Sequence, residues 1–150
     1  MALKPNFNRD DINRHCDRFL ESVENRQVKA FAHMGERCVL KAVLAGTYVD
    51  RTGNLRASIG YSVFKDGQAV LSQYQETGEP NAATKARQLA ENVAKQYPNG
   101  ILLVVVAGMN YAVYVEAKGL DVLTSAEQLA QQELPRMLSD LTENINQIFN

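Results

Sequence analysis

The chain has 150 residues, of which 45% are apolar and 22% charged, and its formal charge is −1. That composition fits one domain, residues 1–150, with a single core of ordinary size. It argues against a protein that meets DNA or anionic lipid through a bulk positive field, because counterion release needs several clustered Lys or Arg.

Expected partners are therefore proteins. The charge is uneven: residues 1–60 hold ten Lys/Arg against seven Asp/Glu, and residues 61–150 hold six against ten. The halves differ in sign, as suits a subunit that meets the opposite side of a copy, although chance segregation of solvated charge gives the same pattern. Cys16 and Cys38 both fall on apolar positions of a predicted helix, so a disulfide framework is not expected and a reducing compartment is. The first residues lack the apolar stretch of a secretion signal, and the longest apolar run, Ile101 to Met109, is too short for a membrane-spanning helix. The chain is expected to be soluble.

In chain order, the first element spans Arg9 to Ala45. Ile12, Cys16, Phe19, Leu20, Val23, Phe31, Met34, Cys38, Ala42 and Ala45 recur at steps of three and four, which predicts one long amphipathic helix, bent near Asn25–Gln27. Asn8 stands at its N-cap, Asp10 and Asp11 at the positive end of its dipole, and Gly46 at its stop.

A turn at Asp50–Gly53 follows. Leu55 and Ile59, four apart, share a face, so Asn54–Ser58 is predicted to make one helical turn. Residues 59–75 alternate around an Asp66-Gly67 pair, the signature of an antiparallel hairpin. Residues 76–81 read as loop, and Ala82 to Gln96 as a shorter helix with Ala86, Leu89, Ala90, Val93 and Ala94 on its apolar side, ended by Pro98-Asn99-Gly100.

Ile101–Ala107 is continuous and apolar, which predicts a strand buried on both faces and central in its sheet. Tyr111–Lys118 reads as a short helix or turn stopped by Gly119. A last helix runs from about Ser125 to Phe149, with Thr124-Ser125-Ala126-Glu127 as a capping box and a stripe through Leu129, Leu134, Leu138, Leu141, Ile145 and Ile148. Pro135 removes a backbone bond inside it, so a kink or break is expected near Gln132–Glu133. The predicted fold class is α+β: a small antiparallel or mixed sheet, hairpin plus central strand, packed by the long N-terminal helix and the C-terminal helix.

Catalytic signatures are sparse. His15, Cys16, His33 and Cys38 cannot share an ion on a straight helix, because the two histidines stand about 27 Å apart at 1.5 Å per residue, so no metal site is expected. The sequence holds no Gly-x-Ser-x-Gly elbow and no glycine-rich phosphate loop, so neither a catalytic residue nor a cofactor is assigned. Asp10/Asp11 and Glu21/Glu24 read as capping and solvated ion pairs. Tyr111, Tyr114 and Glu116 admit two readings. They are half-buried rings with a solvent-facing acid, or they are anchors at a subunit contact together with Arg56, which Glu116 could pair.

Two short stretches stand out: Val49-Asp50-Arg51-Thr52-Gly53-Asn54-Leu55-Arg56-Ala57-Ser58-Ile59 and Gly108-Met109-Asn110-Tyr111-Ala112-Val113-Tyr114-Val115-Glu116. Together they resemble the paired signature of a tailed-phage neck family, the head-to-tail joining or tail-completion proteins. In that family a V-D-T-G-x-L-R-x-S-I segment precedes a Y-A-x-Y-V-E-x-G segment. Here Arg51 is inserted before Thr52, Ala117-Lys118-Gly119 replaces the usual aromatic-Gly-Thr ending, and the helix at Ala82–Gln96 stands where many relatives carry a loop.

The resemblance implies a non-enzymatic virion assembly protein of a phage or prophage, assembled in the host bacterial cytoplasm. It would form a ring of copies at the head–tail junction, contacting portal or adaptor and tail-tube proteins, with no sequence-specific nucleic acid and no membrane as partner. The interface residues it implies are Thr52, Gly53, Leu55, Arg56, Tyr111, Tyr114 and Glu116. The alternatives are a small hydrolase using Glu116 with a histidine, and a ligand-binding domain with a pocket between hairpin and helices.

Overall fold

Helix α1 spans Arg9–Ala45 and runs without interruption through Asn25–Gln27. Its start is the one the sequence predicts: the Asn8 side chain accepts a hydrogen bond from the Asp11 amide at 2.8 Å. The computed structural model describes residues 3–4, 6, 8–49, 54–75, 81–109 and 112–149, without the side chains of residues 54, 113–115 and 149. The predicted turn at Asp50–Gly53 and most of the loop at 76–81 lie outside the described residues.

Helix α2 (Asn54–Ala57) leads into β1 (Ile59–Lys65), and β2 (Gln68–Gln73) returns antiparallel to it. The connecting Asp66 and Gly67 both have positive φ, 49° and 82°, the left-handed geometry that a two-residue hairpin requires. A bulge interrupts β2, since Val63 faces Leu71 while Phe64 faces Ala69. Helix α3 (Ala82–Ala94), strand β3 (Ile101–Ala107), helix α4 (Ala112–Ala117) and helix α5 (Thr124–Phe149) complete the α+β chain.

The strand order is β2-β1-β3, with both pairings antiparallel. This corrects the expectation that Ile101–Ala107 is central. The middle strand is β1, whose residues Ile59–Phe64 are all buried, whereas β3 is an edge with Ile101, Leu102, Leu103 and Val105 half-buried. A continuous apolar run marks contact on both faces of a strand, and helices on both faces produce it at an edge as well as in the middle.

Alternation along β1 and β3 divides the core into two. Ile59, Leu103, Val105 and Ala107 face α1 and α5, beside Met34, Cys38, Ala42, Val122 and Ala126. Phe64, Val104 and Val106 face α3, whose Ala86, Ala90 and Ala94 recur every fourth residue and let its backbone lie close to the sheet. Gly35 gives α1 the same intimacy on the other face: a Cβ there would stand 2.5 Å from the Tyr61 ring.

Helices α1 and α5 run antiparallel. The Cys38 thiol donates to the Ala126 carbonyl at 3.7 Å, Arg37 grips Glu133 through both terminal guanidinium nitrogens, and Ala30 and His33 share a cleft with Asp140 and Asn144. Of the kink or break expected near Gln132–Glu133, the break does not occur: α5 passes through Pro135 as one helix. Proline deletes one backbone bond, and the neighbouring α1 contacts at Glu133 and Met137 hold the two turns together. A further correction concerns Cys16, which is exposed, while Cys38 is buried.

Candidate interaction surface

The two motif-bearing stretches meet at one end of the sheet. Ser58, fully buried, closes α2 by donating from its amide and its hydroxyl to the Leu55 carbonyl, at 3.1 and 2.7 Å. Its own carbonyl accepts from the Gly108 amide at 3.1 Å, and Ile59 faces Ala107 across the sheet. Leu55 and Ile59 then share an apolar cluster with Met109 and Ala112. Gly108 makes the approach possible: a Cβ there would lie 2.8 Å from the Ala82 carbonyl and from Ala86.

The expected interface residues fare differently. Leu55 is 1% exposed and braces the corner from inside, presenting no surface. Arg56 is half-buried, its guanidinium 5.2 Å from the centre of the Tyr48 ring and donating to the Gly46 carbonyl at 3.5 Å. Thr52, Gly53 and Tyr111 lie outside the described residues, as does the Tyr114 side chain.

Glu116 has a local task. One carboxylate oxygen accepts from the amides of Val122 and Leu123, at 2.6 and 3.2 Å, and the other accepts from the Thr124 hydroxyl. The carboxylate therefore ties α4 to the first turn of α5, where free amides and the helix dipole favour a negative charge. The predicted capping box at Thr124–Glu127 is replaced by this arrangement. The Thr124 hydroxyl turns to Glu116, the Glu127 amide bonds the Leu123 carbonyl, and Asp121 accepts from the Ser125 amide at 3.1 Å.

Beside this corner opens an apolar groove of about 890 Å³. Five consecutive β3 residues, Leu103 to Ala107, line it. Successive side chains point to opposite faces, so a cavity touching all five must wrap around the outer edge of the strand. Leu89 and Val93 of α3 form one wall, Ala126 and Ala130 of α5 the other, and Ala112 and Ala117 of α4 the end. Glu116 and Glu127 are its charged lining residues, and both are acids. Leu89, which the periodicity of α3 assigns to the core, is 45% exposed and turned to this opening.

The titratable groups near the sheet follow from burial. Desolvation raises the Cys38 thiol above its ordinary pKa, partly offset by the Arg37 charge. It also raises the Tyr74 phenol, against the opposing effects of the Ser62 hydrogen bond and of Arg87. Tyr61 is raised by burial and further by Glu36, toward which its hydroxyl points. His15 and His33 are exposed, and among the described residues no three His, Cys, Asp or Glu side chains converge on a possible ion site.

Sequence reasoning missed the groove because it placed β3 in the middle of the sheet, which leaves the strand no free edge. One signal was legible: a hairpin plus a single strand must leave two edges, and β2, with Gln68, Ser72 and Gln73 flanking its apolar residues, reads as one of them. Compared with known proteins, the chain matches no protein-family model, no curated protein and no solved structure.

Proposed function

We propose that the protein is a non-enzymatic assembly component of a phage or prophage virion, a ring-forming neck or tail-completion subunit at the head–tail junction. The observation that carries this reading is the meeting of the two motif segments: Ser58 bonds Gly108, and Leu55 and Ile59 pack with Met109 and Ala112. Segments some fifty residues apart that resemble a paired family signature thus build one corner. The open groove beside it offers apolar surface of the kind that subunit contacts bury. The mechanism is geometric: one contact repeated around an axis closes a ring, and the ring joins portal or adaptor to tail tube.

The test is deletion of the gene in an inducible prophage, followed by electron microscopy of the lysate. DNA-filled heads beside free tails are expected. Intact infectious particles would reject the reading.

A second reading, a ligand-binding domain, draws on the groove volume, which falls in the range of small-molecule pockets. Thermal-shift screening against metabolites tests it, since a saturable ligand raises the melting temperature. The hydrolase alternative loses its named residue, because both oxygens of Glu116 are engaged at the start of α5.

A further inference from the structure

With β1 paired on both sides, the sheet has two edges that no further strand pairs among the described residues, the outer sides of β2 and β3. Edge strands are usually blunted by charge, proline or a covering element. Neither Gln68–Gln73 nor Ile101–Ala107 contains a charged residue or a proline.

The two edges have opposite shapes. β3 is recessed between the walls that α3 and α5 raise on either side of it. β2 is bare, with all six residues exposed and with Val70 and Leu71 leaving 48% and 38% of their surface open. A strand that no helix covers is thin enough to enter a slot between two helical layers. The lengths also agree: seven and six residues correspond to about 23 and 20 Å at 3.3 Å per residue.

We infer that β2 of one copy docks into the β3 groove of the next, extending the sheet across the contact. This deepens the ring reading and rests on it for closure of the series, because a head-to-tail contact of this kind closes only if the rotation allows. Charge supports a second copy as the occupant. β2 and β3 point the same way in the sheet, so a copy added with its β2 parallel to β3 keeps the faces aligned and brings its α1 beside α5. Apart from the internal Arg37–Glu133 pair, residues 25 to 45 of α1 carry Arg26, Lys29 and Lys41 against Glu36, while α5 carries Glu127, Asp140 and Glu143 against Arg136. A basic flank therefore meets an acidic one, which favours this orientation and speeds encounter.

Register makes the proposal specific. The bulge at Val70 divides β2, and Leu71–Gln73 is its longest regularly paired stretch, with Gln68 and Ala69 paired beyond the bulge. Leu71 faces Val63 and Val63 faces Leu103, so the three form one row on the α1 side of the sheet. A neighbouring copy then brings its Leu71 beside Leu103 or, two residues along, Val105.

The experiment uses full-length protein in a Cys16→Ser background. A Leu71→Cys protein is mixed with a Leu103→Cys or a Val105→Cys protein under mild oxidation, with Leu20→Cys on the far part of α1 as the control partner. A disulfide-linked dimer is expected in at least one of the two mixtures and none with the control. In sedimentation, Val70→Lys on β2 and Leu89→Glu on the groove wall should each weaken self-association at least tenfold, with circular dichroism unchanged. Protein that stays monomeric up to millimolar concentration overturns the proposal. So does an oligomer that neither cross-links in these mixtures nor responds to the two substitutions. Either failure leaves the virion reading to be judged by the prophage deletion, which does not depend on how copies meet.

Discussion

The motif corner and the helical arm are built from equally periodic sequence, yet one is packed and the other is bare. At the corner, Leu55, Ile59 and Val122 are at most 2% exposed, and α2, β1, β3, α4 and α5 all contribute to one cluster. Along α1 no residue before Met34 is buried, and Ile12 and Leu20 leave 45% and 57% of their surface open. At about 1.5 Å per residue, the 37-residue helix is about 55 Å long, far longer than the sheet it covers. An ion pair between Glu24 and Lys65 joins it to the hairpin end of the sheet. Helical periodicity thus states that a face is apolar without stating what covers it.

Substitutions can break this comparison. Phe64→Ala, in the half of the core under α3, should cost about 3–5 kcal/mol of unfolding free energy in urea titration, as for a large side chain lost from a packed interior. A loss below 1 kcal/mol would mean that the sheet face is not packed as described. Glu116→Ala should cost about 1–3 kcal/mol, because it strips the amides of Val122 and Leu123 and the Thr124 hydroxyl of their acceptor. Hydrogen exchange should quicken at the start of α5 and stay unchanged in the first turns of α1; equal quickening in both would deny that the corner is a local unit.

The pH dependence sharpens the contrast further, with a smaller effect. Tyr61 and Tyr74 both have raised folded pKa values, the first through burial and Glu36, the second through burial. The folded state then binds more protons than the unfolded state once the pH exceeds the unfolded phenol value of about 10. Their contribution is fully present below that pH and is lost as the pH rises through the folded values. Stability should therefore fall in the alkaline range, in step with phenolate absorbance, and Tyr61→Phe or Tyr74→Phe should flatten the slope. The smallest effect belongs to the arm. Leu20→Ser should change stability by no more than about 0.5 kcal/mol in the isolated chain, and a larger loss would reveal a contact for this face.

Local signals were read well where the chemistry is local. Asn8 caps α1, Asp66-Gly67 makes the hairpin turn, Gly119 at φ 76° follows α4, and Ala82 opens α3, because each depends on a few adjacent dihedrals and hydrogen bonds. The misreadings involve what lies beyond the adjacent turn of chain. Glu116 takes the capping role assigned to Thr124–Glu127, contacts with α1 support the turns flanking Pro135, and Cys16 points to solvent at a position whose spacing matches that of buried Cys38.

By itself, then, the amino-acid sequence determined which segments are helix and strand, where most of them stop, and that two short motifs lie some fifty residues apart. Periodicity and capping are properties of neighbours along the chain, and they survive without a fold. Only the tertiary structure decided that β1 and not β3 is central, that Gly108 lets the two motifs touch, and that an apolar slot runs along a free strand edge. Strand order depends on which edges meet in space, and the apolar run of β3 is compatible with a middle strand and with an edge lodged between helices.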